Sequence, residues 1–160
     1  MAQATGFDYL RAFDEAAERV FQEILGETPA KGPPVVSAGP TQLQAVNVNI
    51  GIAGALAGHF RLGMDDPTAR ALAGAMLGED VTELDEMSLS ALCEVANMIA
   101  GSARSSLTHE GALSEITPPS ILLGQGLSES WYNLRTVSVP LTLGAGVLFL
   151  TVGIRANFKP

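Results

Sequence analysis

The sequence predicts an α+β fold, an antiparallel sheet packed on long helices. Three observations carry that expectation. Segments with helical apolar spacing and segments with strand-like alternation come in runs, in the order helix, two strands, two helices, three strands. Two pairs of strand-like segments are joined by small-residue stretches, "GALAG" and "GAG", as hairpins require. Hydrophobic residues make up 47% of the 160 positions and charged residues 16%, below the usual ~25%, so there is enough apolar surface for a packed core. The length suits one domain spanning 1–160.

The elements follow in order. Over residues 7–25, Phe13, Ala17, Val20, Phe21 and Ile24 repeat at helical spacing with acidic residues between them, and Gly26 stops the helix. "TPAKGPPVVSAGP" holds four prolines in thirteen residues and reads as loop or extended chain. Val46, Val48 and Ile50 alternate with Asn47 and Asn49, a strand with one wet face, and "GHFRLGM" is its hairpin partner. In "DDPTARALAGAMLG", Asp66 caps, Pro67 takes the first turn and Gly78 ends a short helix. Asp80 and Glu83 then resemble a capping box opening a long helix over about 81–108. "TPPS" breaks the chain, "ILLGQG" reads as a strand, and Arg135–Leu141 with Val147–Ile154 form the closing hairpin.

Composition excludes several functions. A net charge of −8 with scattered basic residues disfavours nucleic acid, which needs clustered Lys and Arg. Cys93 is the single cysteine, so no intrachain disulfide forms, and it reads as a small helix side chain. "MAQATGFDYL" lacks the regions of a signal peptide, so the expected location is cytoplasmic. The 18 uncharged residues from Val137 to Ile154 approach a membrane span, but Pro140, Gly144, Gly146 and Gly153 favour two buried strands and no membrane. His59 and His109 lie far apart with no Cys between them, so no metal site is expected. "GQGLSES" lacks the third glycine and following helix of a dinucleotide loop. Trp131 reads as a packing anchor, and the methionines, Met87 and Met98 among them, read as core.

One stretch of the long helix raises a question of chemistry. At about 100° per residue, Ser88, Leu92, Val95 and Ile99 form a core stripe, with Ala91 and Met98 at its margins. Ser90, Glu94, Asn97, Gly101 and Arg104 fall on the opposite side. A solvated face explains polar residues there. Asn, however, costs up to ~0.7 kcal/mol against Ala in a helix, where a surface would place Lys or Gln. The small Ser90 and Gly101 flank two polar tips, a shape able to press closely on another protein.

"SALCEVANMIAGSA" resembles the signature helix of the CheC/CheX/FliY chemotaxis phosphatases: Ser or Asp, three residues, Glu, two residues, Asn, then a proline some two dozen residues on. Here these are Ser90, Glu94, Asn97 and Pro118 or Pro119. The likeness runs from roughly Gln44 to Ile154. Ser102 departs from the family's frequent Asn, and a packing adjustment is expected there. In the first helix the same slots hold Asp14, Glu18 and Phe21, and Phe cannot replace a carboxamide. One active helix resembles the CheX type.

The resemblance implies a CheC/CheX-like fold and an enzyme, a phosphatase of the aspartyl-phosphate on a CheY-like response regulator. It implies Asn97 as the residue orienting the attacking water and Glu94 as the anion pairing with the receiver's lysine. Ser90, Gly101 and Arg104 lie on the contacting face. No cofactor of its own is implied, because the receiver brings Mg²⁺. It also implies a homodimer joined through sheet edges. Two alternatives stay open: a non-catalytic adaptor that binds receivers or the flagellar switch, and a structural dimer for which the pair is irrelevant.

Overall fold

The computed structural model describes residues 6–109 and 111–156. The order is α1 (Gly6–Leu25), β1 (Ala30–Lys31), β2 (Val35–Ser37), β3 (Thr41–Gln42), β4 (Val46–Gly54), β5 (Leu56–Met64), α2 (Asp66–Leu77), α3 (Glu86–His109), β6 (Ser114–Ile116), β7 (Ser120–Leu123), β8 (Ser128–Glu129), β9 (Thr136–Leu143) and β10 (Gly146–Ala156). The architecture is α+β, as expected. The proline-rich stretch is extended, and its short strands β1 and β2 pair with β9.

One antiparallel sheet runs β1-β9-β10-β5-β4-β6, with β2 also on β9 and β7 also on β4. β6 and β7 share a single edge. β6 pairs with Ile52–Gly54 and β7 with Val46–Asn49. Pro118 and Pro119 fall between them, where the missing N–H groups forbid a continuous ladder.

Strand alternation decides what each face does. Leu148, Leu150 and Val152 of β10 lie opposite Met64, Leu62 and Phe60 of β5. These in turn lie opposite Val46, Val48 and Ile50 of β4. All nine are buried and form the core layer under the helices. α1 packs on β9 and β10, α2 on β10, and α3 on β4 and β5. Phe13 of α1 stacks on Phe60 at 5.0 Å between ring centroids.

The other face is polar, but much of it is covered. The expected solvated Asn47 is 0% exposed, because β3 and β8 pair into a separate two-stranded piece next to the outer face of β4 and β5. Burial obliges Asn47 to be hydrogen-bonded. Its Nδ2 donates to Gln44 O (2.7 Å) and Leu122 O (3.1 Å), and its Oδ1 accepts from Gln44 N (3.1 Å). Arg61, 5% exposed, lies under the same cover and pairs with Glu129. It also donates to Thr41 Oγ1 at 3.1 Å and lies 4.9 Å from the Trp131 ring centroid. Burial pushes its guanidinium below the ordinary arginine value, and Glu129 opposes that shift. Trp131 also stacks with His59 and sits over Gly153, where a Cβ would come within 2.8 Å of the ring. It is the packing anchor the sequence suggested.

Two helix starts differ from the expected ones. The cap of α2 is Asp65, whose carboxylate accepts from Thr68 N at 2.9 Å, one residue before Asp66. α3 begins at Glu86, not near 81. Gly78 ends α2 at φ 70°, a left-handed conformation that glycine adopts without strain. The segment 79–84 then crosses as irregular chain, with Val81 and Leu84 partly buried against the core. The working capping box is Asp85 with Ser88. Asp85 accepts from Ser88 N (2.8 Å), and Ser88 Oγ accepts from Asp85 N (2.7 Å). Ser88 N and Ser88 Oγ (2.8 Å), both donating to it, hold the Asp85 carboxyl below the usual carboxylate range.

Candidate active site

α3 is pinned on two sides. Leu92, Val95 and Ile99 are fully buried, each contributing about 1.5–3 kcal/mol of transfer free energy. Ala96, Ala100 and Ala103 are also fully buried, as are Ala16 and Ala17 of α1, the helix alongside. Small side chains allow that close approach. The buried arc is therefore wider than the single stripe expected. Ser102, at the edge of this contact, accepts through its Oγ from Arg19 of α1 at 2.7 Å.

The opposite face carries the predicted residues. Ser90, Glu94 and Asn97 are exposed, and Gly101 is half-buried. Neither Glu94 nor Asn97 makes a side-chain bond to another described residue. Three residues apart on an unbroken helix, their Cβ atoms are about 5–6 Å apart. A Cβ built on Gly101 meets nothing within 4 Å among the described residues, so its smallness serves no packing with them and leaves the shoulder low. Arg104 shares this side but spends its guanidinium on β6. Its Nε donates to Ser114 O (2.6 Å) and its terminal nitrogen to Glu115 (3.1 Å).

An exposed carboxylate beside an exposed carboxamide, on a rod that cannot rotate, can hold an anion and a water-binding amide at fixed spacing. That is a positioning device without a nucleophile. Cys93, one residue away, is half-buried, and burial pushes its thiol up, against nucleophilic use. The first helix has no second copy of the pair. Phe21 is fully buried, and Asp14 and Glu18 both pair with Lys31. Among the described residues, no group of three His, Cys, Asp or Glu is placed to hold a metal ion.

The family model for the chemotaxis phosphatase CheX matches residues 46–142, from the start of β4 into β9. The chain belongs to the CheX family. A CheX relative from Thermotoga maritima, named as a CheY-P phosphatase, is 33% identical over 107 residues, covering 66% of this chain and 69% of the relative. Among solved structures, a chain of the CheX–CheY–BeF3–Mg²⁺ complex from Borrelia burgdorferi superposes with a TM-score of 0.80 at 28% identity, covering 92% of this chain and 98% of that one. A CheX protein from Desulfovibrio desulfuricans gives 0.81 at 26% identity, covering 94% and 99%. The CheX match includes all of α3 and both prolines that follow it.

One residue of this face departs from the sequence reading. Met87, expected in the core, is 62% exposed. It borders a groove of about 790 Å³ between the end of α2 and the first turns of α3, lined by Met76, Leu77, Ala91 and the acidic Asp85, Glu86 and Glu94. The available signal was its position seven residues before Glu94, two turns back on the polar side.

Proposed function

We propose that this chain, acting as one CheX-like unit, hydrolyses the aspartyl-phosphate of a CheY-like response regulator. The observation that carries the reading is the exposed, unpartnered Glu94–Asn97 pair on a helix held rigid from behind. The phosphatase named for the Thermotoga maritima relative and the CheY partner in the Borrelia burgdorferi complex support the same substrate class.

The division of labour follows from what an acyl phosphate needs. The bond is already labile, and charge on the transferring phosphoryl group is offset by the Mg²⁺ and lysine of the receiver. What is missing is a water in line with the phosphorus. The Asn97 carboxamide accepts a hydrogen bond from that water through its oxygen and donates through its NH₂ to the phosphoryl group or backbone. The water oxygen attacks phosphorus, the bond to the aspartyl oxygen breaks, and inorganic phosphate leaves with the regenerated carboxylate. Glu94 pairs with the receiver's lysine and sets the docking register. Ser90 and Gly101 let the partner surface approach. Arg104, committed to β6, serves at most as a rim contact. The chain forms no covalent intermediate.

The assembly we propose is a cytoplasmic homodimer joined at a sheet edge. Its support is the exposed apolar residues on the outer strands, Val35 and Val36 of β2 and Leu122 and Leu123 of β7. Among the described residues, no helix is long and apolar enough to cross a membrane.

Phosphate release from a phosphorylated CheY-like receiver with Mg²⁺ tests the activity. Wild type is expected to accelerate release. Asn97→Ala is expected to lose about 10²-fold or more in rate while still binding the receiver, because placing water is a service to the transition state. Binding without acceleration by wild type would instead identify an adaptor.

A further inference from the structure

Met87 is a large apolar side chain, 62% exposed, on the face that carries Glu94 and Asn97. Met87, Ser90, Glu94, Asn97 and Gly101 follow one another at spacings of three and four, so they form a single stripe along α3. Beside Met87 the groove has an apolar floor of Met76, Leu77 and Ala91, and among the described residues no basic side chain lines it. Its acidic members are Asp85, Glu86 and Glu94. Neither Glu86 nor Glu94 has a side-chain partner among the described residues.

We infer that Met87 and this groove are the docking site for an apolar side chain of the phosphorylated receiver, next to one of its basic groups. Met87 is then a specificity-determining residue of the phosphatase. The inference rests on the phosphatase reading. Two observations select this occupant. The groove is continuous with the pair, since Glu94 and Ser90 belong to its lining. A partner whose phosphoryl group reaches Asn97 also covers Met87, which lies about 15 Å along the helix. A docked patch of about 800 Å² is roughly 30 Å across. Charge is the second: carboxylates around an apolar floor call for a cation flanking an apolar group, as on a receiver whose phosphorylation site carries Mg²⁺ and a lysine. A flexible, polarisable methionine adapts to such a surface and discriminates by shape rather than by hydrogen bonds.

The test is phosphate release over a range of phosphorylated-receiver concentrations with the full chain as wild type, Met87→Ser and Met87→Leu. Met87→Ser is expected to raise KM about tenfold with kcat within about twofold of wild type, and Met87→Leu to restore KM. Wild-type KM in Met87→Ser would overturn the docking assignment and leave the phosphatase reading standing. A fall in kcat with KM unchanged would also overturn it. Light scattering showing that Met87→Ser alone becomes a monomer would name a second copy as the occupant and overturn it as well. Absence of release by wild type would overturn the phosphatase reading itself, and the docking site with it.

Discussion

At the scale of single side chains, the orientation of Glu94 and Asn97 was legible because it depends only on the helical repeat. A turn of about 100° per residue places both opposite Leu92 whatever the tertiary fold. Their chemistry separates in measurement. Glu94→Gln removes a charge while keeping the shape, so it is expected to raise KM for the phosphorylated receiver about tenfold and to flatten the rise of KM with salt expected of wild type. Titrating ionic strength in the phosphate-release assay checks both. Met87 and Asn47 were misread for opposite reasons. A methionine is usually core and an alternating asparagine is usually wet, yet Met87 has no element above it and Asn47 lies behind the cover that includes β3 and β8. Part of that cover, Gln44 and β3, is near Asn47 in sequence, but Leu122 and β8 are not.

At the scale of elements, the start of α3 shows how far local signals reach. Asp80–Glu83 and Asp85–Ser88 both satisfy the spacing of a capping box. The second is used because Gly78 turns the chain and Val81 and Leu84 then pack on the core as irregular structure. Ser88→Ala removes the acceptor for Asp85 N and is expected to cost about 1 kcal/mol, read from denaturant unfolding. Asp85 adds a dependence on pH. Its folded pKa is lowered, so its contribution is complete above the unfolded value of about 3.9 and is lost as pH falls through the folded value. The Tm of Asp85→Ala is expected to lie below wild type by a constant amount above about pH 5, with the gap closing below about pH 4. Thermal melts across that range test the sign.

At the scale of the whole molecule, the outer face of the sheet is closed by chain from two distant places. Thr41 meets Arg61 of β5 and Glu129 of β8 beneath them. Removing one partner of a buried ion pair leaves the other charge uncompensated. Glu129→Ala is therefore expected to destabilise by about 3 kcal/mol, seen as a lower urea midpoint with an unchanged slope. Phosphatase activity of the remaining folded fraction is expected to persist, because this face lies on the far side of the sheet from α3.

By itself the sequence determined the periodic features: the α+β class, α1, the β4–β5 and β9–β10 hairpins, and the outward placement of Glu94 and Asn97. Each follows from a repeat read within about twenty residues. Only the tertiary structure decided which polar strand face is covered, which capping box opens α3, that Arg104 holds β6, and that Met87 stands beside an open groove. Those outcomes depend on contacts made across different elements, from 10 positions apart for Arg104 and Ser114 to 88 for Thr41 and Glu129, and local propensity carries no term for such neighbours.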